Sequence, residues 1–386
     1  MREHFGLLRW WEPVGLLESP LFSAEAARAC DSLGGELWEA SLGDQTANLR
    51  RAIECHEAAL GVYTEQAFPH DWAKAQNNMG NAWGDLPTGD RDANLRRAID
   101  HYEAALRVRT EQDFPQDWAT TKNNLGATWW DLPTGDRDAN LRRAIDCYEA
   151  ALRVFTEPAF PQDWAMAQNN LGTAWQALPS GDRDANLRRA IEYCGAALRV
   201  YIEPAFPPDW AMAQNNLGEA WGTLPTGDRD ANLRQAIGCY EAALRVFTEQ
   251  DFPQDWATTL NNLGIAWSYL PTGDRNANLR RAIECIEAAL RVFTEQDFPQ
   301  DWAETQNNLG AAWWALPTGD RNANLRRAIA CYEAALRIRT EGAFPREHAQ
   351  TTANLRTARE ALGRLGDGGG GSGDDCTIPS PVRGAR

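Results

Sequence analysis

The chain has 386 residues, 43% of them hydrophobic, with 17 Trp, enough apolar material for a folded core. Its net charge of −16 argues against a nucleic-acid partner or an anionic membrane surface, since both are bound through Lys and Arg set against phosphates. No run approaches the roughly 18 consecutive apolar residues of a membrane-spanning helix, and Arg9 and Glu12 interrupt the apolar amino terminus before a signal-peptide core forms, so the chain is expected in the cytoplasm.

Residues 1–23 form an amino-terminal segment with Phe5, Leu7, Leu8, Trp10 and Trp11. It reads either as a cap on the first repeat or as an assembly segment. From 24 to 364 a block of 46 residues recurs without insertion or deletion. Asn-Leu-Arg-Arg-Ala-Ile starts at Asn48, Asn94, Asn140, Asn186, Asn278 and Asn324, with an Arg-to-Gln variant at Asn232. A fixed period of this size marks a solenoid, because each unit leaves an apolar face that only its neighbour covers.

Within one unit, Pro115 suits the first turn of a helix and Asp117 faces its dipole. Trp118, Leu125, Trp129 and Leu132 then fall within about 40° of one line at helical spacing. Pro133-Thr-Gly-Asp-Arg ends this helix A. Asp138 is expected to cap helix B, because the other units place Thr46, Asp92, Asp184, Asp230, Asn276 and Asn322 there and all are capping types. Leu141, Ala144, Ile145, Tyr148, Ala151 and Leu152 form the helix B stripe. Gly126, Ala144 and Ala151 sit where the helices must approach closely.

The fold expected is all-α, a solenoid of about seven antiparallel helix pairs and a closing helix. In that last helix His348, Arg356 and Arg359 replace the repeated Trp, Gly and Trp, as a terminal cap requires. Residues 365–386, rich in Gly, are expected to be a disordered tail.

Cys55, Cys147, Cys239, Cys285 and Cys331 share one repeat position. Helices packed roughly 8–10 Å apart hold them beyond the 7 Å or so that a disulfide spans, so they are expected to be reduced and buried. No Cys-x-x-Cys or His-Glu-x-x-His spacing occurs, and no metal or cofactor is expected. The chain also lacks a Walker A or Gly-x-Ser-x-Gly motif, so no enzyme is expected.

The order Asn-Leu-Gly-x-x-Trp, then Ala-Ile-x-x-Tyr-x-x-Ala-Leu, resembles the tetratricopeptide repeat. The period exceeds the usual 34 by about six residues at each of two junctions, from Gly172 to Ala190 and from Ala197 to Leu217. Long units with Phe-Pro-x-Asp-Trp-Ala are similar to those beside CHAT protease domains and signalling NTPases in bacteria. The resemblance implies a right-handed superhelix whose concave surface, lined by helix A, takes a peptide or protein segment.

Setting Trp118 at zero, Thr120, Ala127 and Asp131 lie near 200°, 180° and 220°, opposite the packing stripe, with Trp130 near 120°. Their equivalents differ from unit to unit. The position of Thr120 holds Lys74, Met166, Met212, Thr258 and Glu304, and that of Ala127 holds Asn81, Thr173, Glu219, Ile265 and Ala311. Trp130 corresponds to Gly84, Gln176, Gly222, Ser268 and Trp314, and Asp131 to Asp85, Ala177, Thr223, Tyr269 and Ala315.

Flanking this stripe are constant asparagines: Asn77 and Asn78, Asn123 and Asn124, Asn169 and Asn170, Asn215 and Asn216, Asn261 and Asn262, Asn307 and Asn308. An amide both donates and accepts, so they read either as holders of a peptide backbone or as bonds between neighbouring A helices. Trp130 and Trp314 read either as aromatic anchors or as shields for a neighbouring helix. Arg pairs such as Arg142-Arg143 read as a solvated face with nearby acids.

The function expected is a non-catalytic scaffold for a protein or peptide partner, the sensor or adaptor arm of a bacterial signalling system. A self-assembling architectural homo-oligomer stays open as the alternative.

Overall fold

The computed structural model describes residues 23–40 and 43–366. The segment read as a cap or assembly element, up to residue 22, and the Gly-rich tail beyond 366 lie outside the described residues. These contain fifteen helices and no strand. In chain order they are α1 (Ala24–Glu39), α2 (Gln45–Leu60), α3 (Pro69–Asp85), α4 (Arg91–Ala105), α5 (Pro115–Asp131), α6 (Arg137–Ala151), α7 (Pro161–Ala177) and α8 (Arg183–Ala197). After them come α9 (Pro207–Thr223), α10 (Arg229–Ala243), α11 (Pro253–Tyr269), α12 (Arg275–Ala289), α13 (Pro299–Ala315), α14 (Arg321–Ile338) and α15 (Pro345–Gly366). The fold is an α-solenoid of antiparallel hairpins.

Two compact units divide the chain, one of residues up to 174 with 178–180, the other of 175–177 and 181 onward. In the first, α1 packs on α2, α3 on α4 and α5 on α6. In the second the pairs are α9 with α10, α11 with α12 and α13 with α14, and α15 closes on α14.

The repeated signals act where the chain geometry needs them. Helix A starts at proline, with no side-chain cap because the preceding Phe114 carries no acceptor; proline at the first position leaves one fewer N–H without a partner and fixes a helical φ. At its other end the arginine of the turn donates back to the helix, from Arg229 to the Gly222 carbonyl at 2.9 Å and from Arg275 to the Ser268 carbonyl at 2.6 Å. A cation on these last carbonyls complements the helix dipole. Gly135 takes φ +87° in the turn, a conformation a Cβ disfavours.

Helix B is capped two residues earlier than expected. The cap is Asp136, whose carboxylate accepts from Asp138 N at 3.0 Å and Ala139 N at 3.4 Å. Its counterparts Asp44, Asp90, Asp182, Asp228, Asp274 and Asp320 do the same work. Asp138 lies inside the first turn, where Arg142 Nε donates to it at 2.7 Å.

Apolar stripes of successive helices merge into continuous cores. In the second unit Leu233, Ile237 and Tyr240 of α10 pack with Leu260 and Leu263 of α11, and these with Phe293 and Trp302. Close approach within a hairpin is real: a Cβ on Gly126 would lie 2.8 Å from the Tyr148 ring. The tryptophans expected in the core divide into two sets. Trp118 and its equivalents Trp72, Trp164, Trp210 and Trp302 are buried, while Trp256 at the same position is half-buried. The set of Trp129 is half-buried, with the guanidinium of Arg143 4.4 Å from the ring centre, and arginine lies over the Trp118 set too, as Arg153 does at 5.1 Å. The Arg pair therefore splits its duties, one pairing with acid and the other stacking on tryptophan.

Candidate functional site: the helix A face

Within each unit the first helices form the closer-spaced layer. Helix α1 meets α3 and α3 meets α5, while α9 meets α11, α11 meets α13 and α13 meets α15. No two B helices within a unit approach one another in this way. The A layer is thus the tighter side of each unit, and the unit-specific residues lie on it.

The asparagines bind neighbouring A helices together. The second Asn of one helix donates to the first Asn of the helix before, from Asn170 to Asn123 at 3.4 Å, Asn308 to Asn261 at 3.2 Å and Asn354 to Asn307 at 3.2 Å. Asn77 accepts from Thr121 at 2.9 Å and Asn215 from Thr259 at 3.2 Å, while Asn124 donates to Asn81 at 3.1 Å. Asn77, Asn123, Asn215, Asn261, Asn262, Asn307 and Asn308 are buried, so their amides face helices rather than a ligand. Asn78, Asn124, Asn169, Asn170 and Asn216 are half-buried and keep part of their surface on the face.

In the first unit Ala127 and Asp131 are exposed, and Thr120, Trp130, Met166 and Thr173 are half-buried. Arg91 Nη2 lies 3.2 Å from Asp131. Both threonine hydroxyls bond to their own helix, Thr120 to the Gln116 carbonyl at 3.0 Å and Thr173 to that of Asn170 at 2.8 Å. Trp130 has the guanidinium of Arg137 over its ring at 5.2 Å.

In the second unit Met212 is 38% exposed, and Glu219, Thr258, Tyr269 and Glu304 are half-buried. Ile265 and Trp314 are not presented. They are buried at 7% and 9% exposure, and Ala311 and Ala315 with them. Trp314 joins the core formed with Leu316 and with Leu355 and Ala358 of α15.

Symmetry is broken most sharply in the first unit, where Asp31 and His56, outside the expected set, meet Lys74 of the variable stripe. Asp31 stands where Asn123 stands, His56 where Tyr148 stands and Lys74 where Thr120 stands. His56 Nδ1 and Lys74 Nζ each lie 3.0 Å from an Asp31 oxygen, and Asn78 Nδ2 lies at 3.5 Å. Burial pushes the Asp31 carboxyl up, but the bonds from His56 and Lys74 outweigh it and hold the group below the usual carboxylate range. Arg109 replaces a buried aromatic such as Phe155 and donates to Thr121 Oγ1 at 2.9 Å. Arg339 repeats this with Thr351 at 3.3 Å. The signal for these groups is their departure from the repeat, at inward as well as outward positions.

Among the described residues no helix is long and apolar enough to cross a membrane, and no group of three or more His, Cys, Asp or Glu is placed to hold a metal. The described cysteines are unpaired thiols.

No family model matches the chain, and no curated protein matches it. Among solved structures, it is similar to a Rap protein complexed with competence and sporulation factor, at 13% identity and a TM-score of 0.48 over 94% of this chain and 98% of that one.

Proposed function

We propose that the chain is a non-catalytic scaffold that holds a protein or peptide segment against the helix A face. The supporting observation is the division of labour among repeat positions. Residues that build cores, caps and inter-helix bonds are near copies, whereas one position on an accessible stripe holds four residue types in six units: Lys74, Thr120 and Thr258, Met166 and Met212, and Glu304. A shared architecture does not require this variation; a partner with a defined side-chain sequence does. The recognition set is narrower than the stripe, because Ile265, Trp314 and the buried asparagines are withdrawn from it.

By resemblance to long tetratricopeptide units, the scaffold serves as the sensor or adaptor arm of a bacterial signalling system, in the cytoplasm. Residues 24–364 act as one binding domain. A photo-crosslinking amino acid at Met212, compared with one at Glu241 on exposed helix B surface, tests the face in the native cell. The expected result is a discrete adduct from position 212 alone. Equal capture from 241, or adducts only with further copies of the chain, would favour an architectural assembly instead.

A further inference from the structure

One hairpin of the second unit lacks a group of charges that its siblings keep. Five half-buried tryptophans of the Trp129 set carry a guanidinium over the ring, at distances from 4.2 Å for Arg189 on Trp175 to 4.7 Å for Arg281 on Trp267. Trp221 on α9 belongs to this set, but Gln235 stands where the arginine would be. Among the described residues no cation lies over the Trp221 ring.

Two acids go with the missing arginine. Burial pushes Cys285 up to about 11, with Glu284 and Glu241 adding to the rise and Arg281 opposing it, so these three charges converge beside Trp267. At the matching Cys239 the same positions hold Gly238, Gly195 and Gln235, and burial alone raises the thiol. The arginine and both acids are therefore absent together, on the side where α8 and α10 pack on α9.

Nothing inside the chain calls for these glycines. A Cβ added at Gly195 or Gly238 would meet no atom within 4 Å, and neither residue has a positive φ. Glycine inside a helix lowers its stability. Gln235 and Gly238 are exposed, and Gly195 and Trp221 half-buried. An open, uncharged patch thus interrupts a surface on which the sibling hairpins carry charge.

We propose that this patch on α8, α9 and α10 is the centre of a two-fold interface with a second copy of the chain. Charge selects that occupant. A two-fold contact sets residues near its axis against their own counterparts, so the sibling pattern would oppose arginine with arginine and acid with acid. Between two chains of net charge −16, loss of the acids removes repulsion on both sides at once. Gln235 is self-complementary, because an amide both donates and accepts and can pair with the same amide of the second copy. The glycines let the two surfaces come close enough for that pair, and the indoles supply apolar contact at the centre, where interfaces are poorest in charge. A cationic partner is disfavoured, since the acids that flank the guanidinium in the sibling hairpins are gone.

The test is sedimentation velocity of the full chain from about 1 μM to about 1 mM. The expected result is a monomer that passes to a dimer and no further, because a two-fold contact closes on itself. The triple variant Gly195→Glu/Gln235→Arg/Gly238→Glu restores the residues found around Trp267. It should raise the dimer dissociation constant about tenfold or more, as like charges set opposite each other do. Its urea midpoint should equal or exceed that of the parent, since two helical glycines are replaced. Met212→Glu adds a charge on the helix A face and should leave the dimer intact. A parent that stays monomeric, a dimer that the triple variant keeps, or one that Met212→Glu abolishes would overturn the proposal. Glu241 faces Cys285 on the α12 flank of α10, outside the patch. The triple variant should therefore still give the discrete adduct from position 212, and the two readings fail separately.

Discussion

Tyr102 and Tyr332 occupy the same repeat position, and both rings lie against a glycine that a Cβ would push into them. Their hydroxyls differ. Tyr102 donates to Asn81 Oδ1 at 2.7 Å, whereas Ala311 stands at the equivalent of Asn81 and the Tyr332 hydroxyl is buried without a partner. An unmatched buried hydroxyl costs about 1–3 kcal/mol, and a matched one contributes about 1 kcal/mol. Tyr102→Phe should therefore lower the stability read from urea unfolding by about 1 kcal/mol, while Tyr332→Phe should leave it unchanged or raise it. Loss of stability in both would mean that the Tyr332 hydroxyl is bonded in solution. The cysteines admit a simpler check. Burial pushes the Cys147 and Cys239 thiols up to about 11 and Cys194 up to about 12, so thiolate is scarce at pH 8. Dithionitrobenzoate should react with them only as fast as the chain opens, and urea should bring them all into reaction. That Cys147 and Cys239 stay unpaired was legible in the sequence, because their shared repeat position holds them too far apart for a disulfide; Cys194 lies outside that position. The orphan hydroxyl was not legible, since it depends on which residue stands opposite the ring.

At the scale of the helix, the hairpins were legible because proline, the turn glycine and the apolar periods all agree. The cap of helix B is ambiguous in the sequence because Asp136 and Asp138 are both capping types, and the expectation rested on the one that varies. That variation has another cause: position 138 closes the joint to the next hairpin, and the invariant acid is the cap. The joints make the fold sensitive to acid. Hydroxyl bonds from Thr226 and Thr272, then Arg188 and Arg234, hold Asp184 and Asp230 below the usual carboxylate range. Arg153 and Arg291 do so for Glu111 and Glu249. A carboxyl depressed in the folded state stabilises fully above its unfolded pKa, about 3.9 for Asp and 4.3 for Glu. That contribution is lost as pH falls through the lower folded value. Stability should therefore be flat above about pH 5 and fall steeply below about pH 4. In Arg153→Gln, Glu111 regains an ordinary pKa, so the slope of the urea midpoint against pH should be shallower in that window. An unchanged slope would show that the Glu111 and Arg153 pair is not formed in solution.

For the molecule as a whole, the pattern of constancy was the readable part, and the depth of each residue was not. Helical angles alone place Ile265 and Trp314 on the same stripe as Ala127 and Met212, but Leu355 and Ala358 of the closing helix belong to the core that buries Trp314. The same nearest-neighbour logic bounds how far damage spreads. In a stacked-repeat protein, stability is close to a sum of unit and interface terms, so a lesion should be felt most in the hairpin that carries it. Gly264 on α11 offers a sharp lesion, because a Cβ there would lie 2.5 Å from Ile286 Cγ1 and 2.9 Å from the backbone oxygen of Ala282. Helix α12 cannot yield to the second contact by a change of rotamer, so Gly264→Ala should cost about 1–3 kcal/mol as an overpacking change. Hydrogen exchange followed by mass spectrometry should show faster exchange in α11, α12 and the helices packed directly on them, with α3 and α4 at parent rates. Uniform acceleration from α3 to α14 would instead show one all-or-none transition, in which no hairpin opens alone.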